Sequence, residues 1–149
     1  MVQISGHINT SKHNPSHLAE GPVDGVYVNQ EGTIAELRSD GRYISVSVKT
    51  SVGNAIGVYQ GVGVVGMSSI PGARAIAFSV VWENEYTHSH SATSWCGVLR
   101  GDEIHATWVL TIEMPTSEAW RSRLIGFDRF VRCRPEADNN GHRSRTNGV

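Results

Sequence analysis

Hydrophobic and polar residues alternate one by one through most of the chain, from about Gly25 to Pro135. Turn-forming residues interrupt the alternation at intervals, and no stretch keeps a helical repeat. Because successive side chains of a β-strand point to opposite faces, this period-two pattern predicts strands. Eight strands are predicted, over residues 27–30, 33–38, 43–50, 55–63, 74–83, 89–99, 103–111 and 123–132.

Short connections join the predicted strands, and the pair Asp40-Gly41 is a strong hairpin signal. Eight consecutive strands with short connections can close into a barrel, which leaves no exposed strand edge. The sequence therefore predicts an all-β protein with an eight-stranded antiparallel up-and-down β-barrel, and a β-sandwich is the alternative. Polar ends rich in Ser, Asn and Gly predict a flexible N-terminal arm (1–22) and a flexible C-terminal tail (136–149) around a barrel domain (23–135).

The four tryptophans of the chain all lie in its second half, at nearly even spacing. Strand alternation places three of them on one face, which we take as the inner face, together with polar residues. The inner-face residues of the later strands are Phe78, Val80, Trp82, Ser91, Thr93, Trp95, Ile104, Ala106, Trp108, Leu110, Leu124, Gly126, Asp128 and Phe130. A buried carboxylate is costly unless it is paired, so Asp128 either pairs inside the barrel or meets a polar ligand. The pattern favours an aromatic box around a small ligand, and an ordinary core is the alternative.

Apolar residues also fall on the opposite, outward face of the later strands. They are Val81, Val109, Ile125, Phe127 and Val131. A monomeric barrel seldom exposes such a surface, so we expect a second copy of the barrel to cover it. Trp120 lies outside the strand register, in a connection, and is expected to reach a neighbouring subunit.

Charge and composition argue against several partner classes. The formal net charge is −1, and charged residues make up 18% of the chain, with no cluster of Lys and Arg among aromatic residues. Nucleic-acid and acidic-membrane surfaces carry such clusters, so neither partner is expected. No apolar run is long enough to span a bilayer, and the N-terminus lacks the pattern of a signal peptide. We therefore expect a soluble, intracellular protein.

Few side chains offer catalytic or metal-binding chemistry. Cys96 and Cys133 are too few for a disulfide scaffold and lack the spacing of metal ligands, so both are predicted to be free thiols that point outward. His90 beside Ser91 suggests a base next to a nucleophile, but neighbours in a strand face opposite ways. The sequence thus predicts a binding protein and not an enzyme, with no metal and no cofactor.

A series of short segments, in order along the chain, carries a family resemblance. The segments are Gly25-Val26-Tyr27-Val28-Asn29-Gln30, Val52-Gly53-Asn54-Ala55, Val81-Trp82-Glu83-Asn84, His90-Ser91-Ala92-Thr93-Ser94-Trp95, Thr107-Trp108-Val109-Leu110-Thr111, Ala119-Trp120-Arg121-Ser122 and Leu124-Ile125-Gly126-Phe127-Asp128-Arg129-Phe130. Together they resemble avidin and streptavidin across the whole predicted barrel. The resemblance implies a barrel that binds biotin tightly without chemistry and that assembles as a homo-oligomer, most often a tetramer.

The resemblance also implies a role for each residue of a biotin site. Three tryptophans wall the pocket, Leu110 belongs to the same site, and the fourth tryptophan closes the pocket of a neighbouring subunit. The implied roles are pocket walls for Trp82, Trp95 and Trp108, a lid for Trp120, donation to the ureido oxygen for Asn29 and Thr33, acceptance from the ureido nitrogens for Thr50 and Asp128, contact with the ring sulfur for Thr93, and binding of the valerate carboxylate for Ser91 and the Asn54 backbone amide.

Two positions depart from the family pattern. The family presents a tyrosine hydroxyl to the ureido oxygen from the third strand, whereas this chain has Val48 or Ser47 there, depending on the alignment. Loss of one donor weakens binding by about 1–3 kcal/mol, or one to two decades. Glu31 replaces an apolar residue at the pocket mouth and is expected to turn to solvent. The alternative functions are a carrier of another small ligand, as in lipocalins, and a structural or interaction module on the same fold.

Overall fold

In a computed structural model, the described residues are 22–51, 57–83 and 90–134. They form eight strands and one short 3₁₀ helix. The strands are β1 (Gly25–Val28), β2 (Ile34–Asp40), β3 (Tyr43–Lys49), β4 (Tyr59–Val65), β5 (Ala73–Trp82), β6 (Ser91–Arg100), β7 (Glu103–Ile112) and β8 (Arg123–Arg132), and the 3₁₀ helix is Thr116–Arg121. Each strand pairs antiparallel with the next, and β8 pairs with β1, so the sheet is a closed barrel. The predicted all-β up-and-down barrel is confirmed, and the sandwich alternative is wrong.

The limits of β1 correct the sequence prediction, which placed this strand at 27–30. The strand ends at Val28 because the next side chain folds the chain into a turn. The Oδ1 atom of Asn29 accepts from the backbone N–H of Glu31 at 3.0 Å and of Thr33 at 2.8 Å. Such side-chain bonds to the local backbone replace strand ladder bonds, as Asn commonly does in turns.

The fourth strand also differs from its prediction, 55–63, since it runs from Tyr59 to Val65. Gly57 has φ of 108°, a backbone conformation that strand residues do not adopt, so the strand starts after it. The second strand extends to Asp40, and the turn that follows begins at Gly41, with φ of 60°. The remaining strands agree with their predictions to within a residue or two, and β8 matches its predicted range.

The core fills the inside of the barrel with the residues that alternation assigned to it. Phe78 and Trp95 are register partners on β5 and β6, and their rings stack with centroids 5.0 Å apart. Phe130 meets both rings edge-on, at 6.2 and 6.3 Å. Leu124 departs from the predicted inner set because it is 52% exposed. It lies near the start of β8, where the strand leaves the packed interior.

An arginine closes one end of the barrel. The Arg132 guanidinium lies 4.8 Å from the ring centroid of Tyr27 and donates to the carbonyls of Pro22 and Asp24. Its Nε is 3.2 Å from Oδ1 of Asp102 in the β6–β7 turn. The β1–β2 and β7–β8 connections lie at the opposite end, where the ligand site predicted from sequence is located.

The outer surface carries the apolar residues that alternation predicted, and all of them are exposed in the single chain. Cys96 and Cys133 are exposed free thiols, as predicted. Among the described residues, no helix is long and apolar enough to cross a membrane. The predicted flexible ends fall almost wholly outside the described residues.

Candidate functional site

The centre of the site is the carboxylate of Asp128, on the inner face of β8 and only 8% exposed. Its Oδ1 accepts from Nδ2 of Asn29 at 3.1 Å and from Nε2 of Gln30 at 3.2 Å. Its Oδ2 accepts from Nε1 of Trp95 at 2.7 Å. Three neutral donors therefore hold a buried anionic acceptor in a fixed orientation, which is what a buried carboxylate requires.

The β1–β2 turn holds the Asn29 amide against this carboxylate, and Asn29 in turn bonds to Thr33. Since Oδ1 of Asn29 is taken by the turn backbone, its Nδ2 faces Asp128 and uses one of its two hydrogens there. Thr33, buried directly before β2, has its Oγ1 3.0 Å from Oγ1 of Thr50, which follows β3. One connected network thus contains the Asp128 carboxylate, which only accepts, the amides of Asn29 and Gln30, and the two threonine hydroxyls.

Two indoles next to this network are held by hydrogen bonds. Trp82, at the end of β5, donates from Nε1 to Oγ1 of Thr93 at 2.8 Å, and both residues are buried. Trp82 and Trp95 meet edge-to-face with centroids 6.4 Å apart. Because the Thr93 hydroxyl oxygen accepts from Trp82, its hydrogen is left to donate to another group. These contacts make a rigid aromatic wall with one polar group set in it.

The remaining predicted site residues lie at different depths. Trp108 and Leu110 are half-buried on β7 and pack against the core. Ser91 is half-buried, at the start of β6 and opposite Trp82 in the register. Trp120 is 82% exposed on the 3₁₀ helix, and the Arg121 guanidinium lies 5.8 Å from its ring centroid. Asn54 lies outside the described residues.

On the third strand, the structure shows which of Val48 and Ser47 faces into the barrel. Val48 is fully buried on the inner face, whereas Ser47 faces outward and donates to Oε1 of Gln60 at 2.9 Å. The inner face of β3 therefore carries a hydrocarbon side chain at this position and no hydroxyl. Its register partner Tyr59 packs edge-on against Trp82 at 5.0 Å and donates to the carbonyl of Glu83 at 3.3 Å. Glu31 is exposed, as expected.

Gln30 is a site residue to which sequence reasoning gave no role. Strand alternation after Asn29 would point it to solvent, but β1 ends two residues earlier and the side chain bends back to β8. Besides Asp128, it donates to the carbonyl of Phe127 at 3.2 Å and accepts from the N–H of Arg129 at 3.1 Å. One feature of the sequence indicates this role. Gln30 directly follows Asn29 near the end of a strand, and polar side chains at strand ends often bond to nearby backbone groups.

The described residues contain no group of three or more His, Cys, Asp or Glu placed to hold a metal ion. What they assemble is a set of fixed donors and acceptors between aromatic walls, at the end of the barrel opposite Arg132. Such a closed barrel with fixed polar groups between aromatic walls is typical of proteins that hold one small ligand.

A comparison with protein families places this barrel more closely. The chain matches the Avidin family over residues 19–133, which is more than half of its length. The matched range contains all eight strands and the whole of the site. The chain therefore belongs to the Avidin family, a family of biotin-binding proteins.

Proposed function

We propose that this protein binds biotin, without chemical conversion, inside one end of the barrel. We call this place the chamber, and its residues are Trp82, Trp95, Trp108 and Asp128. The observation that carries the proposal is the buried carboxylate, held by three neutral donors and joined through Asn29 to the Thr33–Thr50 hydroxyl pair. Avidin family membership supports the same ligand and a binding role.

The ureido group of biotin matches this network by its chemistry. A urea has one carbonyl acceptor and two N–H donors, so it needs at least one donor and two acceptors around it. Asp128 and Thr50 supply the acceptors, and Asn29 and Thr33 supply the donors. Fixed partners in a low-dielectric chamber bind such a group strongly because little reorganisation remains to be done.

The rest of the ligand is largely apolar. In the proposal, Trp82, Trp95 and Trp108 contact the fused rings and the aliphatic chain, with Leu110 beside them. Thr93 meets the ring sulfur. Ser91, near the rim of the chamber, binds the valerate carboxylate together with the backbone amide of Asn54.

The buried hydrocarbon at Val48 lowers the expected affinity. The ureido oxygen loses one donor relative to the family pattern, which costs about 1–3 kcal/mol and shortens the lifetime of the complex. The outward Ser47 is not able to replace that donor from its position on the outer face. We therefore propose tight but not extreme affinity for biotin.

The proposed assembly is a homo-oligomer, with a tetramer as the expected form. Ile125 and Phe127 are 70% and 77% exposed on the outer face, Val109 is the register partner of Ile125, and both Val109 and Val81 on β5 are exposed as well. A second copy of the chain would bury this apolar surface. Trp120 would then insert at the mouth of a neighbouring chamber, since it is exposed on its own subunit.

Isothermal titration with biotin tests the function, with thermal melting as the second measurement. We expect one biotin bound per chain and a melting temperature that rises with biotin concentration, because the ligand binds only the folded state.

Asp128→Asn should weaken binding by about tenfold or more, since it removes the anionic acceptor. Asp40→Asn, at an exposed carboxylate at the other end of the barrel, should have no effect. Absence of both heat and stabilisation at excess biotin would refute the proposal.

A further inference from the structure

The three inner tryptophans are held in two different ways. Trp82 and Trp95 each donate from Nε1 to a buried side-chain oxygen, at 2.8 and 2.7 Å. Trp108 makes no such bond to any residue in the described ranges. Within the part of the chain that the structure describes, packing alone therefore sets the position of Trp108.

The surface against which Trp108 packs is a glycine. Gly126 on β8 is its register partner across the β7–β8 pair. A Cβ atom built on Gly126 would lie 2.5 Å from Cε2 of the indole, still nearer to Cζ2, and 3.0 Å from Nε1. Carbon atoms in proteins approach no closer than about 3.5 Å without repulsion, so no side chain fits between this backbone and the ring.

The backbone conformation does not require glycine here. Gly126 is not among the glycines of this chain with positive φ, and it lies inside a regular strand. Glycine in a strand interior lowers stability, and it often marks a site where another group approaches the backbone closely. The space that Gly126 leaves is filled by the indole of Trp108.

We propose that Gly126 is a positioning residue of the ligand chamber, which sets how far the Trp108 wall recedes and so how wide a ring system the chamber accepts. This inference rests on the proposed function for the identity of the ligand. With a methyl group at position 126, the indole must move away from β8 by roughly 1 Å, the shortfall from ordinary contact distance. The backbone of β8 blocks the other direction, so the ring moves into the chamber and narrows it.

Trp108 is the wall that is able to move in this way. The displacement breaks no hydrogen bond of its Nε1 within the described part of the chain, whereas the same displacement of Trp82 or Trp95 would leave a buried acceptor unpaired. The chamber therefore combines two fixed indoles with one whose depth depends on the residue beneath it.

The test is a double-mutant cycle with the variants Gly126→Ala and Trp108→Phe, each alone and combined. Gly66→Ala is the matched control, because a Cβ there has no neighbour nearer than 3.5 Å. We expect Gly126→Ala to speed biotin release about ten- to a hundredfold, in line with overpacking by one methyl group. Phenylalanine has a smaller ring that lacks Cζ2, the indole atom nearest to the added Cβ, so in the Trp108→Phe background the same alanine should change release less than about threefold. Gly66→Ala should release biotin at the wild-type rate.

Three outcomes would overturn the inference. The first is an equal effect of Gly126→Ala in both backgrounds, which would mean that it does not act through the indole. The second is a lower melting temperature with an unchanged release rate, which would make Gly126 a purely structural residue. The third is that Gly126→Ala does not fold and that the double variant does not fold either, since the smaller ring should relieve the clash.

The same cycle separates this inference from the proposed function. If the wild-type protein binds no biotin, the proposed function fails. The packing of Trp108 on Gly126 is then tested without ligand, by the melting temperatures and the tryptophan emission of the same four proteins. Non-additive melting temperatures support it, and additive ones contradict it.

Discussion

Gln30 bonds to β8 with both ends of its side-chain amide. Its Oε1 accepts from the Arg129 N–H, and its Nε2 donates to the Phe127 carbonyl and to Asp128. A backbone amide makes this donor and acceptor pair in an antiparallel ladder. The side chain therefore continues the β1–β8 pairing beyond Val28, at the place where the backbone has turned away.

Replacement of Gln30 should affect both stability and binding. Gln30→Ala removes bonds to two backbone groups and to Asp128, and we expect a loss of about 1–2 kcal/mol in unfolding free energy. Biotin release should also become faster, because Asp128 loses one of its three donors. Denaturant unfolding and dissociation kinetics measure the two effects. Gln60→Ala, which removes a Ser47 contact on the outer face, should change neither; equal effects of both variants would contradict the role of Gln30.

At Val48 a hydroxyl is the missing group. Val48→Tyr should slow biotin release by about tenfold, the value of one added hydrogen bond to the ureido oxygen. Val48→Phe is the matched control, because it adds the ring without the hydroxyl. Stopped-flow dissociation compares the three proteins. Equal rates for Tyr and Phe at this position would show that the hydroxyl does not reach the ligand.

At the scale of elements, strands β7 and β8 are joined on the outer face by an exposed ion-pair cluster. Glu103 on β7 pairs with the Arg129 guanidinium on β8 and, 2.8 Å away, with Nε2 of His105 on its own strand. The hydrogen bond from Arg129, and then the one from His105, lowers the pKa of Glu103 from 4.5 to about 2. A carboxyl with a lowered pKa in the folded state stabilises the fold when ionised.

The sign of the pH dependence follows from that shift. The contribution of Glu103 is fully present above pH 4.5 and disappears as the pH falls to about 2. Glu103→Gln should therefore lower the urea midpoint slightly at pH 7, because exposed ion pairs stabilise little, and the gap to wild type should close by pH 2. Glu113→Gln, at another exposed carboxylate, provides the control. A gap that is constant from pH 7 to pH 2 would contradict the assignment.

At the scale of the whole molecule, the barrel has polar groups inside and apolar groups outside on the same strands. The inner polar side chains bond to one another around Asp128, so these buried groups have hydrogen-bond partners inside the barrel. The outward apolar residues have no cover in the single chain. Antiparallel pairing places β5, β6, β7 and β8 side by side, and this brings the outward apolar residues of β5, β7 and β8 to one side of the barrel.

Disruption of that face should separate the subunits. Phe127→Glu puts a charge where a second copy is proposed to pack, and burial of an unpaired charge is costly. Light scattering should then report the mass of one chain for the variant and a multiple of it for the wild type. Ser45→Glu, on the outer face of β3, should leave the assembly unchanged. A wild-type protein that is already monomeric would contradict the proposed oligomer.

The strands and their inner faces could be predicted from the sequence because alternation is a local property. Alternation along each strand places Phe78, Trp95 and Phe130 on one face, and their rings meet in the core. Alternation also places Asp128 on this apolar face, where a carboxylate needs a partner. Strand ends were less predictable, because side-chain bonds such as those of Asn29 stop a strand irrespective of its pattern.

The sequence by itself determined that this chain is an all-β barrel with an aromatic and polar interior, since period-two alternation and turn residues act within each strand. Only the tertiary structure decided that Val48 rather than Ser47 faces the chamber and that Gln30 returns to β8. It also decided that Trp108 rests on Gly126. The Gln30 contact needs the first and last strands to pair, which happens only when the barrel closes, and the contact of Trp108 with Gly126 depends on the register between β7 and β8, which alternation along one strand does not set.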